Sequence, residues 1–375
     1  MRETLEGQRK NSMSPTPPLR IGLIGLGTVG RLHLEAYRAL KRGKVVAAAD
    51  SDPSVLAKSG ATSEVNFYAD LNEMLAREQL DIACVLTPAA SHESLMAVCA
   101  EHGVNVLCEK PLALTVDSAR RMVAKAKDCG TRLFYGSSYR FLPAVIAARK
   151  LILSGDIGQV LIIREQSVGG QGADRAVSMP FHHYPKGFPG GFAMGLTDHG
   201  IHLIDAFSWM MNTTARRASG EGNISGGAMN TEHLTIEYAN GAIGHLLYNE
   251  CTFATDLPVE GQFSEGDGWD FSGFTRAGGW IKHPGNIHVY GTNGSLRVFH
   301  YANLLFHFGP QGVKRIPIAG EPPPGHFAAQ MECFIDDVLL DRPASTSAEA
   351  GVDALSVFYT AYANKGLDFE PTARA

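Results

Sequence analysis

Nowhere in the 375 residues do about eighteen consecutive apolar side chains occur, the span a membrane-crossing helix needs, and none is expected. Basic residues are outnumbered by acidic ones, 33 to 38, and are not clustered, so the electrostatic footprint of a nucleic-acid binder is missing. Charged residues make up only 19% of the chain against 45% hydrophobic ones, a balance that excludes a disordered polymer. The six cysteines (Cys84, Cys99, Cys108, Cys129, Cys251 and Cys333) form no C-x-x-C pair and no zinc spacing. They fall mostly in apolar segments, where reduced core thiols are expected, and no metal is called for. Met1 to Pro18 is polar, contains three prolines and lacks the apolar stretch of an export signal, so a frayed tail on a cytoplasmic protein is expected.

What is present is alternation. Arg20–Ile24 is a short apolar run, Gly25-Leu26-Gly27-Thr28-Val29-Gly30 follows, and a helical pattern continues through Leu32, Ala36 and Leu40. Further strand-like runs end at Asp50, at Thr87-Pro88 and at Glu109-Lys110-Pro111, and Leu133–Gly136 is expected to add a last strand. Helical segments at Leu71–Arg77, Glu93–Glu101 and Val116–Cys129 lie between them, so the pattern predicts a parallel, doubly wound sheet. After Ser137 the texture changes. A helix over Pro143–Ser154 precedes longer runs rich in β-branched and aromatic residues at 159–167, 233–238, 242–252, 287–290 and 295–299. Asn240-Gly241 and Asn293-Gly294 signal hairpin turns, which predicts a large, mostly antiparallel open sheet in an α+β domain. Helices over Phe327–Leu340 and Ala348–Lys365 close the chain. The length exceeds one ordinary core, and the expected division is a tail at 1–19, a Rossmann domain at 20–137 and a second domain at 138–375.

The glycine turn has a physical reading. The first glycine makes the tight turn, the second lets backbone approach a pyrophosphate, the third lets the helix pack closely, and the phosphates rest on the helix N-terminus. A lone G-x-G-x-x-G is weak, but here a strand precedes it, a helix follows it, and Asp50 ends the next strand about 20 residues on, where a carboxylate accepts hydrogen bonds from ribose hydroxyls. A merely structural turn would leave Asp50 unexplained. The carboxylate would repel a 2′-phosphate and no arginine follows it immediately, so NAD is expected over NADP. Gly25, Gly27, Thr28, Val29, Gly30 and Asp50 are the cofactor-binding candidates, joined by Thr87, Pro88 and His92 at the next strand end and by Glu109 and Lys110. His92 reads equally well as a cofactor contact or as a helix cap. Lys110 ends a strand before proline, which biases its backbone to extended geometry and lets its ammonium be aimed into a cleft.

A second constellation is Asp198-His199-Gly200-Ile201-His202-Leu203-Ile204-Asp205. In a helix Asp198 and His202 share a face, while His199 is expected to point away from it. Taken alone such a histidine is more often a hydrogen-bonded core residue, and without an H-E-x-x-H pattern zinc is disfavoured. Tyr139-Arg140-Phe141 follows the last strand of the first domain, where Arg140 could hold a substrate oxygen or form a structural ion pair. Two long irregular segments, 169–191 and 254–285, are candidate binding loops; the first gathers Arg175, His182, His183, Tyr184 and Lys186, and the second Trp269, Phe271, Phe274 and Trp280.

Gly25 to Gly30, Glu109-Lys110-Pro111 and Asp198-x-Gly200-x-His202-x-x-Asp205, in this order, resemble the glucose-fructose oxidoreductase and inositol dehydrogenase (Gfo/Idh/MocA) family over nearly the whole chain from Arg20. Gly291-Thr-Asn-Gly294-Ser-Leu296 is similar to a recurring turn of that family's second domain. The glycine-rich stretch at 190–197 is longer than the family's compact form. The resemblance implies that Lys110, Asp198 and His202 occupy the catalytic positions of an NAD-dependent oxidoreductase. Tyr139, Arg140 and His183 join them as substrate-binding candidates. In that reading His202 takes the hydroxyl proton of a secondary alcohol, Lys110 steadies the alkoxide, and the substrate is a sugar, polyol or sugar acid. Two alternatives stand beside it: glycoside cleavage by transient oxidation with recycled NAD, and a non-catalytic NAD-binding regulator. An open sheet face that needs cover favours a homodimer or homotetramer.

Overall fold

The structure is a computed structural model, and it describes residues 17–58, 64–168, 170–171, 199–222, 231–249, 253–254, 262–264, 268–270, 286–321 and 324–364. The first sheet has six parallel strands: β1 (Leu19–Ile24), β2 (Gly43–Ala49), β3 (Asn66–Tyr68), β4 (Ile82–Val85), β5 (Asn105–Glu109) and β6 (Leu133–Gly136), in the order β3-β2-β1-β4-β5-β6. β1, β4, β5 and β6 are apolar almost throughout because helices cover both faces. Those helices are α1 (Thr28–Ala36), α2 (Pro53–Lys58), α3 (Leu71–Arg77), α4 (His92–Glu101) and α5 (Val116–Asp128). Asp70 caps α3 by accepting the Glu73 N–H at 2.9 Å, and Thr115 caps α5 by accepting that of Ser118 at 3.1 Å. β3 and α2 were not expected; β3 is a three-residue edge strand, too short for alternation to show.

A 3₁₀ turn at Ser138–Phe141 leads into α6 (Pro143–Leu153), with proline in its first turn where no intrahelical N–H is needed. The second sheet contains β7 (Val160–Val168), β8 (Ala215–Gly222), β9 (Glu232–Tyr238), β10 (Ile243–Asn249), β11 (Asn286–Gly291), β12 (Ser295–Phe299), β13 (Leu304–Gly309) and β14 (Gly312–Arg315). Their order is β14-β13-β12-β11-β7-β10-β9-β8. The expected hairpins form at Asn240-Gly241, where Gly241 takes φ +85°, and at Asn293-Gly294. The sheet is antiparallel but for one pair: β7 sits at its centre and runs parallel to β10. Its inner face packs on α6, α7 (Ile201–Met211) and α9 (Ala348–Asn364). On the outer face one cross-strand row reads His245, Arg164, His288, Arg297, and Ile162 and Ile243 are 43% and 37% exposed.

α8 (Gly325–Leu339) follows the second sheet in sequence but packs on the first. Met331, Phe334 and Ile335 join Ile21, Leu23 and Phe134 in one core cluster. Behind α8 the chain also pairs with the edge of β6, with Phe134 bridging to Ser347 and the Tyr135 N–H donating to the Thr346 carbonyl at 2.9 Å. Among the described residues no helix is long and apolar enough to cross a membrane. The five described cysteines are free thiols; Cys251 lies outside the described residues.

Candidate functional site

A cleft of about 900 Å³ opens at the C-terminal ends of the parallel strands. Gly25, Gly27, Thr28, Val29, Asp50, Thr87, Pro88, Glu109 and Lys110 all line it. The three glycines divide the work. Gly25 takes φ +93°, and a Cβ there would lie 2.8 Å from the Thr87 side chain. At Gly30, which packs behind the cleft, a Cβ would fall 2.1 Å from the Gly25 carbonyl oxygen, so helix and turn touch backbone to backbone. At Gly27, the N-cap of α1, a Cβ would meet nothing within 4 Å, leaving the helix N-terminus open to the cleft. The Asp50 carboxylate accepts the Leu26 N–H at 2.7 Å on one oxygen and the Asp52 N–H at 2.9 Å on the other. Each carboxylate oxygen accepts twice, so acceptor capacity remains while the group is held rigidly under the turn. Arg20 is committed elsewhere, to Glu78 at 2.6 Å and to the Gln79 carbonyl. These features suit a dinucleotide.

His92 does not open onto the cleft. It is fully buried, with Nε2 2.7 Å from the Thr87 carbonyl oxygen and Nδ1 3.1 and 3.2 Å from those of Pro111 and Leu112. Burial holds its pKa below the ordinary histidine value. It is neither a cap nor a surface for cofactor; it ties the strand end at Thr87 to the turn after Lys110. Behind Lys110 lies another buried set. Glu109 meets His33 Nε2 at 3.1 Å and accepts the Lys110 N–H at 3.1 Å; His33 Nδ1 lies 2.8 Å from the Tyr37 hydroxyl. The strand end that presents the lysine is thereby fastened to α1. The signal for His33 was available, since Gly30, His33 and Tyr37 fall on one face of a helix whose other inward positions are apolar.

In the second domain a wide π-type turn at His199-Gly200 leads into α7. His202 is 7% exposed, and its ring stacks on that of Tyr139 at 4.2 Å between centroids and 9° between planes. His199 does not point away as expected: its Nδ1 lies 3.3 Å from the Tyr139 hydroxyl. Residues three apart are helical neighbours, and the wide turn draws both histidines to the same tyrosine. His199 Nε2 meets Glu165 of β7 at 3.0 Å. Arg140 is turned into the fold. It is 5% exposed and grips Asp205 of α7 through two bonds, Nε to Oδ2 at 2.7 Å and a second to Oδ1, while the Ser137 hydroxyl also donates to Asp205. Of the two alternatives, the ion pair is the one formed here. Asp198 and His183 lie outside the described residues, as do most of 169–191 and 254–285. Among the described residues no group of three or more His, Cys, Asp or Glu side chains could hold a metal ion. Glu165 was missed in the sequence, although strand alternation puts it inward beside Ile163, an unusual place for a carboxylate.

Residues 19–137 match the model of an oxidoreductase family with an NAD-binding Rossmann fold, and residues 145–297 match the GFO/IDH/MocA C-terminal domain. The chain is 30% identical over 215 residues to a D-apiose dehydrogenase from Paraburkholderia graminis, covering 57% of this chain and 55% of that one. It is 31% identical over 208 residues to an inositol 2-dehydrogenase from Burkholderia multivorans, covering 52% of this chain and 54% of the relative. The matched part thus spans about half the length of these relatives. In fold it resembles an oxidoreductase from Agrobacterium radiobacter solved with NAD+, L-tartaric acid and magnesium, with a TM-score of 0.74 and 20% identity over 93% of this chain and 98% of that one.

Proposed function

Because the chain belongs to the Gfo/Idh/MocA oxidoreductase family with its NAD-binding Rossmann fold, we propose that it transfers hydride between a secondary alcohol of a sugar, polyol or sugar acid and NAD. One observation carries the reading: the open N-terminus of α1 at Gly27, the Asp50 carboxylate and Lys110 line the same cleft. Bound NAD supplies the hydride acceptor. The turn over Gly25–Gly30 would hold its pyrophosphate, and Asp50 its ribose hydroxyls. Asp50 carries the preference over NADP, and Arg20, tied to Glu78, is in no position to balance a 2′-phosphate.

His202 takes the hydroxyl proton, since an imidazole titrates near working pH, where general-base catalysis is effective. Lys110 stabilises the developing alkoxide by its charge. Asp198, four residues before His202, orients the imidazole or the hydroxyl. The relatives are named for inositol and D-apiose, which places those two compounds first in a panel of polyols, sugars and sugar acids, read by absorbance of NADH beside NADPH. On the best substrate Lys110→Ala should lower turnover by about a hundredfold or more while NAD still binds by calorimetry. Near-normal turnover in that variant would sink the assignment.

A further inference from the structure

Glu165 is a carboxylate at 2% exposure in the middle of the second sheet, where an uncompensated charge is costly. Two histidines face it. His199 Nε2 lies 3.0 Å from one oxygen and His300 Nε2 3.8 Å from the other. A neutral His199 that donates from Nε2 to Glu165 leaves Nδ1 as an acceptor, and the atom facing Nδ1, at 3.3 Å, is the Tyr139 hydroxyl. The Tyr139 oxygen in turn meets the Tyr301 hydroxyl. A carboxylate backing an imidazole that faces a hydroxyl is the arrangement by which hydroxyl protons are moved in nucleophilic triads. Here the hydroxyl is phenolic, its ring is the one stacked on His202, and Tyr301 is only partly buried while Tyr139, His199 and Glu165 are each below 5% exposed.

We infer that Tyr301, Tyr139, His199 and Glu165 form a proton relay serving the site at His202, with Tyr301 as its open end and the His199–Glu165 pair as its store. The inference rests on the reading of His202 as the base: at 7% exposure its ring is largely closed to solvent, so a nearby group that can hold the proton it acquires serves it. The parallel stack is ring face to ring face and allows no direct transfer from His202 to Tyr139, so the relay as inferred is entered at the Tyr301 hydroxyl through one water. Only protons move. The water takes the His202 proton on a lone pair and gives one of its own O–H protons to the Tyr301 oxygen, keeping that bond's electron pair; Tyr301 passes its own proton to Tyr139, and Tyr139 passes its own to His199 Nδ1. The imidazolium formed is neutralised in place by Glu165. Among the described residues, Tyr248, with its ring 6.1 Å from that of His199, and His300, 5.0 Å from the Tyr139 ring, are further titratable groups facing the set.

The test begins without a substrate. In the full chain carrying 15N-labelled histidine, the His199 signal, assigned by its loss in His199→Asn, should report a neutral Nε2–H tautomer at pH 7. Its titration should move to lower pH in Glu165→Gln, because the countercharge is gone. An Nδ1–H tautomer, or a titration unmoved in Glu165→Gln, overturns the relay. On the best NAD-linked polyol or sugar, Tyr139→Phe keeps the ring on His202 but cuts the chain. It should lower kcat roughly a hundredfold with KM unchanged and displace the acid limb of the kcat profile. Unchanged kcat and an unmoved limb also overturn it. Full activity in Lys110→Ala would instead remove the hydride-transfer reading and leave the tautomer result standing, so the two failures are distinct.

Discussion

A single methyl group on Gly30 or on Gly27 should affect stability differently. At Gly30 the added carbon would collide with the Gly25 carbonyl oxygen at 2.1 Å, so Gly30→Ala has to push α1 off its own turn. Forced overpacking of this kind costs about 1–3 kcal/mol, and a lowered thermal midpoint with weakened NAD binding is expected. Gly27→Ala meets nothing within 4 Å, so its midpoint should stay at the wild-type value while calorimetry shows a loss of NAD affinity, the methyl occupying the ligand's space. Equal destabilisation of the two variants would contradict this division of labour. That Gly25, Gly27, Asp50 and Lys110 gather at one cleft was legible because each sits in a local chain pattern at a strand end. His92 was not, since its partners at Thr87, Pro111 and Leu112 come from two loops that only the folded sheet brings together.

The segments Ser137–Arg140 and α7 are joined by the buried Arg140–Asp205 pair, at 5% and 2% side-chain exposure. Breaking such a pair from one side strands a charge and costs about 3–5 kcal/mol. Asp205→Asn should therefore lower the urea midpoint strongly, whereas the double replacement Arg140→Met, Asp205→Leu should recover part of the loss. A single variant as stable as the wild type would show the pair to be idle. Most helices could be read from their periodicity, and α3, α5 and α6 keep their expected bounds within a residue. The π-type turn could not, because insertion of one residue into a helical ladder leaves no mark on composition, and with it went the joint arrival of His199 and His202 at Tyr139. The parallel pairing of β7 and β10 was equally hidden: both strands carry the same alternation whichever way they run.

Over the whole molecule the buried His92 and His326 and the half-buried His288 set a pH dependence. Burial lowers the pKa of His92, brings His326 to about 3 and, with Arg297 and Arg164 nearby, brings His288 to about 4. The unfolded chain takes up these protons near pH 6.5 and the folded one does so only well below, so unfolding is coupled to proton uptake in that window. Stability is fully present above about pH 6.5 and is lost as pH falls towards 4, a fully shifted buried histidine contributing at most about 1.4 kcal/mol per pH unit and the half-exposed, solvent-screened His288 less. Thermal midpoints between pH 7 and 4.5 should decline, and less steeply in His326→Phe. A flat profile would mean that these rings are wet.

The return of the chain to its first sheet has a consequence in time. A nascent protein emerges N-terminus first and folds by domains as they are completed. All six parallel strands are synthesised early, yet the core cluster they share with Met331, Phe334 and Ile335, and the pairing of Phe134 with Ser347, depend on residues made only after the whole second sheet. During synthesis the nucleotide domain keeps one apolar face bare, and it is finished from the far end of the chain.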